Sequence, residues 1–434
     1  MTNRISATDG RPKKRAITLA GGGPAMGFHI GALGALEKAG VSFDVWSLSC
    51  IGAWVGVYYN QLVGDDRAER TYEFFRSHAF RDAESYRGFP VNRAFAPNLQ
   101  AFAKAWREHL ANPQTFRDML PQGSEWQEAV AGWTRFLATP ELWKDPGDLN
   151  VHVLNNILAV NPMSRLLTSL IYSSGINGMS NVYYPGSALI QMIDFARLDQ
   201  LGRNHDQKDA ETIEQIVSEH KRAGKLPTAG DAVPEIYHNA WRQSDGSPQD
   251  PGELRMFNNR WLGYRTRQPA RNYLPITPAS LCACSALPYI EQPVPIAADG
   301  GRDYSEGALV DTVSFRNLVE DHPDLDEIWV CRIVDNRQVR KPANLHDSLA
   351  NLCQQFAAEV GENDIKLFKS HLRKGIGRAP RVVEIKLDPN TQINFRWDRE
   401  NLEVGYREGQ DAASDLLERH PELGSHRTRS PAWA

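Results

Sequence analysis

Residues 15–62 set the tightest limit on the fold, because two strand–turn–helix units follow one another with almost no linker. Arg15-Ala16-Ile17-Thr18-Leu19-Ala20 reads as a short buried strand and runs directly into Gly21-Gly22-Gly23-Pro24-Ala25-Met26-Gly27. From Phe28 to Ala39 apolar residues recur at helical spacing (Ile30, Leu33, Leu36), and Gly40 ends the run. Phe43 to Ser49 reads as a second strand, carrying Val45, Trp46 and Leu48. At Cys50 the pattern turns sharply into a second apolar helix, Ile51 to Leu62. Strands and helices alternating this closely point to a parallel sheet.

The remaining 64–434 extend that plan. Residues 64–230 lack strand alternation and are expected to form a helical insertion covering the sheet. Its tryptophans (Trp106, Trp126, Trp133, Trp143) and the apolar part from Leu149 to Ile193 are read as its core, and Lys208 to Gly230 as a surface helix plus loop. Strand signals resume at Pro234 to Trp241 and Glu253 to Asn258, then at Glu327 to Val334 and Arg381 to Leu387. A helix from Leu345 to about Ser370 separates the last two, and another runs from Asn401 to Arg419. The expected organisation is a polar tail at 1–14, an α/β domain at 15–345 that includes the insertion, an extension at 346–420 packed on the core, and a polar tail at 421–434.

Composition narrows the partners. A net charge of -4 over 434 residues gives no support for nucleic-acid binding. The basic stretches Arg11 to Arg15 and Lys369 to Arg381 read as solvated. No run approaches the roughly 18 apolar residues that span a bilayer, and residues 1–15 lack a signal-peptide core, so a cytoplasmic location is expected. Five cysteines in so long a chain make no disulfide framework, and Cys282-x-Cys284 lacks the second Cys/His pair of a zinc site. No metal or organic cofactor is implied.

The glycine triplet admits three roles. Backbone N–H groups at a helix start attract phosphate, but G-x-G-x-x-G fails at Met26 and no Gly-Lys-Ser/Thr follows. The same N–H groups can form an oxyanion hole. Alternatively, the glycines only let a helix pack tightly on a strand. Cys50 favours the second role: Ser49-Cys50-Ile51-Gly52 sits at a strand-to-helix turn like the G-x-S-x-G nucleophile elbow, about 27 residues after the glycine loop. Leu48 stands at the first glycine of that pattern and a thiol at the nucleophile. A Gly-bounded carboxylate on the Tyr304-Ser305-Glu306-Gly307-Ala308-Leu309-Val310-Asp311 loop could serve as general base.

Together these motifs resemble the patatin-like phospholipases, acyl hydrolases with a Ser–Asp dyad. The family's opening is similar to Gly21-Gly22-Gly23 through His29-Ile30-Gly31, and its elbow to Leu48-Ser49-Cys50-Ile51-Gly52. Its small-residue segment resembles Ala283-Cys284-Ser285-Ala286-Leu287-Pro288, and its aspartate loop Tyr304 to Thr312. The stretch from Asn155-Asn156 to Asp199 is similar to the connector of bacterial members with a C-terminal extension. The resemblance implies a three-layer α/β sandwich with a mostly parallel central sheet and a large helical insertion. It implies Cys50 as nucleophile, Glu306 as base, and Gly21, Gly22, Gly23 and Ile51 around the oxyanion; Asp299 of Asp299-Gly300-Gly301 is the alternative base.

The departures are Cys50 for serine, Glu306 for aspartate, Ala25 for a basic residue and Met26 for glycine. A thiol at a helix N-terminus attacks esters and thioesters to give a thioester, while a neighbouring carboxylate raises its pKa. Cysteine in a lipase-like box also resembles polyhydroxyalkanoate synthases, which keeps acyl transfer beside hydrolysis. A member that only binds an acyl group or a partner would show the same substitutions. Implied partners are a lipid or an acyl ester or thioester, with at most peripheral membrane contact. Ser49 is a substitute nucleophile at best, and His29, Cys282, Cys284, Cys331 and Cys353 are expected to pack.

Overall fold

A computed structural model of the chain describes residues 13–88, 92–120, 122–139, 147, 150, 153–158, 160–173, 175–195, 198, 234–259, 273–374, 379–388, 390–391 and 396–424. By contacts the chain divides into two compact units, Met1–Ala96 with Asn181–Ala434, and Pro97–Ser180.

In the larger unit nine strands make one sheet: β1 (Arg15–Leu19), β2 (Val45–Leu48), β3 (Glu235–Arg242), β4 (Glu253–Asn258), β5 (Leu274–Pro275), β6 (Val294–Ile296), β7 (Arg302–Glu306), β8 (Glu327–Arg332) and β9 (Arg381–Lys386). The order β9-β8-β1-β2-β3 is parallel throughout. Beyond it β4 pairs antiparallel with β3, and β7 lies antiparallel to both β3 and β6. The principal helices are α1 (Gly27–Lys38), α2 (Ile51–Gln61), α3 (Arg67–His78), α4 (Pro278–Ala283), α5 (Leu345–Lys374) and α6 (Arg399–Arg419).

Period-two alternation splits the strands between two cores. Ile17, Leu19, Trp46 and Leu48 face one core, where α1, α2 and α6 supply Phe28, Ile30, Trp54 and Leu402. Ala16, Val45, Ile328 and Val330 face the other, with Ile365 and Phe368 of α5. The sandwich with helices on both faces is therefore as expected.

α1 is buried from Gly27 to Leu36 because α6 covers its outer side. Backbones touch there: a Cβ at Gly31 would fall on the Tyr406 carbonyl, and one at Gly409 on the Phe28 carbonyl. Gly31→Ala is expected to force the helices apart and lower the urea-unfolding free energy by about 3 kcal/mol.

Arg15, which closes the basic stretch read as solvated and also opens the strand read as buried, is 2% exposed; it donates through Nε to Glu327 (2.9 Å) and through Nη2 to the Leu423 carbonyl (2.7 Å). This contact ties the C-terminal turn Pro421–Leu423, assigned to a tail from sequence, onto the start of β1. A buried guanidinium needs such a partner. Residues 1–12 and 425–434 of the expected tails lie outside the described residues, as does the charged run Lys208 to Gly230.

In the smaller unit the helices Leu99–Ala111, Pro113–Met119, Gly123–Ala138 and Pro162–Ser173 enclose Ala105, His109, Ala129 and Leu166. His109 Nε2 and Ser169 Oγ, 2.9 Å apart, link two of them. Trp106, Trp126 and Trp133, expected as core, are exposed, because each sits on the outward stripe of its helix; Trp143 lies outside the described residues.

Candidate active site

Chain geometry brings the ends of two strands together. Residues 235–238 of β3 pair with β2, and residues 240–242 of the same edge pair with β7 running the opposite way. The C-terminal ends of β2 and β7 therefore meet head to head, and they carry Cys50 and Glu306. Glu306 is thus the last residue of a strand rather than part of a loop, a strand that sequence reading missed because Arg302-Asp303-Tyr304-Ser305-Glu306 is too polar to read as one.

Cys50 occupies φ 50, ψ −123 between β2 and α2. For a residue with a side chain this is strained backbone, as at a nucleophile elbow, and it turns the thiol away from the sheet. Two glycines on α2 make the turn possible. A Cβ at Gly52 would fall on the Leu19 carbonyl, and one at Gly56 would stand 2.6 Å from Leu48 Cδ1. Gly56 thereby makes room for the leucine at the elbow's first glycine position. Gly52→Ala is expected to lift the start of α2 off β1 and to destabilise the protein by about 3 kcal/mol in chemical unfolding.

The Cys50 thiol and the Glu306 carboxylate are close enough to influence each other electrostatically. Burial pushes the Cys50 pKa well up, the Glu306 charge pushes it further, and the Ile51 N–H opposes them. Burial also raises Glu306 from 4.5 to about 7, against the lowering effect of the Cys50 thiol. At neutral pH the thiol therefore stays protonated, and the carboxylate is a stronger base than an ordinary glutamate.

Both residues line a cavity of about 420 Å³ at the carboxyl ends of β1 and β2, the usual ligand position in open α/β sheets. Gly21, Gly22, Gly23 and Ile51 line it too, so the four expected oxyanion residues share one wall with Cys50. A Cβ at Gly21 would stand 3.1 Å from Cβ of both Cys50 and Ala308, so a side chain there would crowd both. Ala25 and Met26 are fully buried beneath the loop.

Asp299 is not brought to this cavity. It lies in the turn before β7, at the opposite end of that strand from Glu306, and accepts a hydrogen bond from Tyr304 Oη at 2.7 Å. Ser49 is buried and donates to the Asp311 carbonyl at 3.2 Å. His29 sits against the Ala20 carbonyl (Nε2, 2.8 Å), its pKa lowered to about 4 by burial, so it is a neutral core residue. Cys284 packs behind the elbow, 3.6 Å from the Cys50 carbonyl. Cys282 and Cys331 are buried.

The apolar wall was not anticipated from sequence. Trp54, Phe95 and Trp397 form part of it, and α5 adds Leu349, Leu352, Cys353 and Phe356. The i, i+3, i+4, i+7 spacing of those four was the available signal. Burial, then Glu306, raises the Cys353 pKa to about 11. Among the described residues there is no cluster of three metal-ligating side chains, and no helix is long and apolar enough to cross a membrane.

The sequence matches the patatin-like phospholipase profile over residues 17–319, most of the chain. The chain belongs to the patatin-like phospholipase family. That family comprises lipid acyl hydrolases. Among solved structures, VipD from Legionella pneumophila is 12% identical, with 94% of this chain and 67% of VipD covered at a TM-score of 0.37. The type III effector protein ExoU is 12% identical, with 96% of this chain and 54% of ExoU covered at a TM-score of 0.32. The chain thus spans about half the length of ExoU. No curated protein matches the sequence.

Proposed function

We propose that this patatin-like protein cleaves acyl esters or thioesters of lipids through a Cys50 thioester, with Glu306 as its proton carrier. The supporting observation is the strained Cys50 and the Glu306 at the facing strand end, which together line one apolar cavity. As sulfur attacks the carbonyl carbon, Glu306 accepts the thiol proton, and the oxyanion is received by N–H groups of Gly22, Gly23 and Ile51. The leaving alcohol or thiol departs with that proton, leaving an acyl-thioester on Cys50. Glu306 then takes a proton from water, which cleaves the thioester to a carboxylic acid and restores the thiol.

A thiol is an easier proton donor than a serine hydroxyl, and a carboxylate held near pKa 7 is a stronger base than an ordinary one. The longer glutamate at the family's aspartate position therefore suits a cysteine. An alcohol in place of water would make the second step acyl transfer, and product analysis with added alcohol separates the two. Because Glu306 must be ionised to accept the proton, kcat/KM for a soluble nitrophenyl acyl ester is expected to rise with pH to a plateau, with its midpoint near 7. A flat profile from pH 5 to 9 would contradict this role.

Peripheral contact with lipid belongs to the same reading. Tyr289, Leu309, Leu349, Leu352 and Phe356 all line the cavity and are nonetheless 38–65% exposed, so its mouth has an apolar rim. Such a rim partitions into an acyl interface. Leu352→Glu is expected to reduce turnover of micellar ester more than of monomeric ester.

A further inference from the structure

The segment that follows Glu306 is held in place from outside the family-matched residues. Glu306 itself is fixed at its N–H, which donates to the Ala286 carbonyl at 3.0 Å. Beyond it residues 307–314 leave the sheet edge without forming a strand. Thr312 Oγ1 donates to the Ala308 carbonyl (2.6 Å), and Ser49 Oγ and Asn239 Nδ2 both donate to the Asp311 carbonyl (3.2 and 2.8 Å). The N–H groups of Thr312 and Val313 both donate to Asp364 Oδ2, each at 3.0 Å. Asp364 is on α5, beyond residue 319, where the family match ends.

The same helix lines the cavity two to four turns earlier, at Leu349, Leu352, Cys353 and Phe356. Glu362, two residues before Asp364, forms an ion pair with Arg332 of β8 (2.6 Å), which anchors this part of α5 to the sheet. One helix therefore touches the substrate space with its N-terminal half and grips the chain after Glu306 with its C-terminal half.

We propose that α5 completes the active site and that Asp364 is a positioning residue for Glu306, acting through the Thr312 and Val313 N–H groups. This rests on the Cys50–Glu306 reading above. A single oxygen accepts both N–H groups, so the acceptor matters more than the charge. Burial and the nearby Asp311 raise Asp364 to about 7 against the lowering effect of those two N–H groups, which fits a site where an amide oxygen can substitute.

The test compares Asp364→Ala, Asp364→Asn and Phe356→Ala in the full chain, each checked for folding by circular dichroism. Asp364→Ala should lower kcat for a soluble nitrophenyl ester at least tenfold, with KM changed by less than about twofold, because proton transfer is disturbed and the wall is not. Phe356→Ala should do the reverse and raise KM. Asp364→Asn should keep at least half of the wild-type kcat. A second readout needs no turnover: with Glu306 displaced, Cys50 loses a like-charge neighbour, and its alkylation by iodoacetamide at pH 8 should be roughly tenfold faster in Asp364→Ala.

Unchanged kcat and unchanged Cys50 alkylation in a folded Asp364→Ala protein would overturn the proposal, as would a loss in Asp364→Asn equal to that in Asp364→Ala. If Asp364→Ala does not fold, Asp364→Asn decides: retained kcat and wild-type alkylation support it, and loss of either overturns it. If Cys50→Ala turns over ester as well as wild type, the catalytic reading fails, and the alkylation rates alone decide whether Asp364 positions Glu306.

Discussion

Cys50→Ala is expected to abolish acyl-ester turnover, by at least about 10³-fold in kcat, while leaving the protein folded. Cys50 is 8% exposed, it lines the cavity with Glu306, and among the described residues no element depends on its sulfur for a hydrogen bond. Alanine keeps the Cβ that meets Gly21 and removes only the nucleophile. The backbone strain at φ 50 is the same for alanine as for cysteine, so the melting temperature should move by only a few degrees. Wild-type turnover in the variant would require another nucleophile, and Ser49, committed to the Asp311 carbonyl, is not placed to be one.

Glu306→Gln is expected to have two large effects of opposite sign. Turnover falls at least about 10²-fold, because an amide cannot accept the thiol proton. Stability rises at pH 8. Burial holds the folded-state pKa near 7 against 4.5 for an ordinary glutamate. The stabilising contribution of the protonated carboxyl is therefore fully present below pH 4.5 and is lost as pH rises through 7. Well above pH 7 wild type bears the whole cost of a buried charge, on the order of 3 kcal/mol, and the glutamine variant does not. Urea unfolding of both proteins should thus give equal stabilities at pH 4 and a more stable variant at pH 8. Equal stabilities at both pH values would mean that Glu306 is not held in a buried setting. The direction is typical of active sites, where function is kept at the expense of stability.

The sequence made the fold legible where strands alternate cleanly and turns are short. Residues 15–62 and the strands at 235–242, 327–332 and 381–386 stand within a residue or two of expectation. The elbow at Cys50 was readable because a strand, a turn and a glycine-bearing helix follow one another without a linker. The antiparallel β7 was not, since its polar residues carry no period-two signal and only its pairing with β3 and β6 makes it a strand. Choosing between Glu306 and Asp299 needed that strand, because it separates them to its two ends. The role of α5 was hidden for another reason: its amphipathic spacing announces a buried face without saying that the face lines a cavity. Arg15 and the tryptophans of the insertion erred in opposite directions, since composition describes neither a specific buried partner nor an outward apolar stripe.

The most direct test is to mix the protein with a short-chain nitrophenyl acyl ester, quench in acid within the first turnovers, and locate the acyl group by peptide mass. The predicted result is one acyl mass on the peptide carrying Cys50, removed by neutral hydroxylamine as a thioester should be, and missing in Cys50→Ala. Ester turnover with the acyl group on Ser49 or another residue, or turnover that persists in Cys50→Ala, would contradict it.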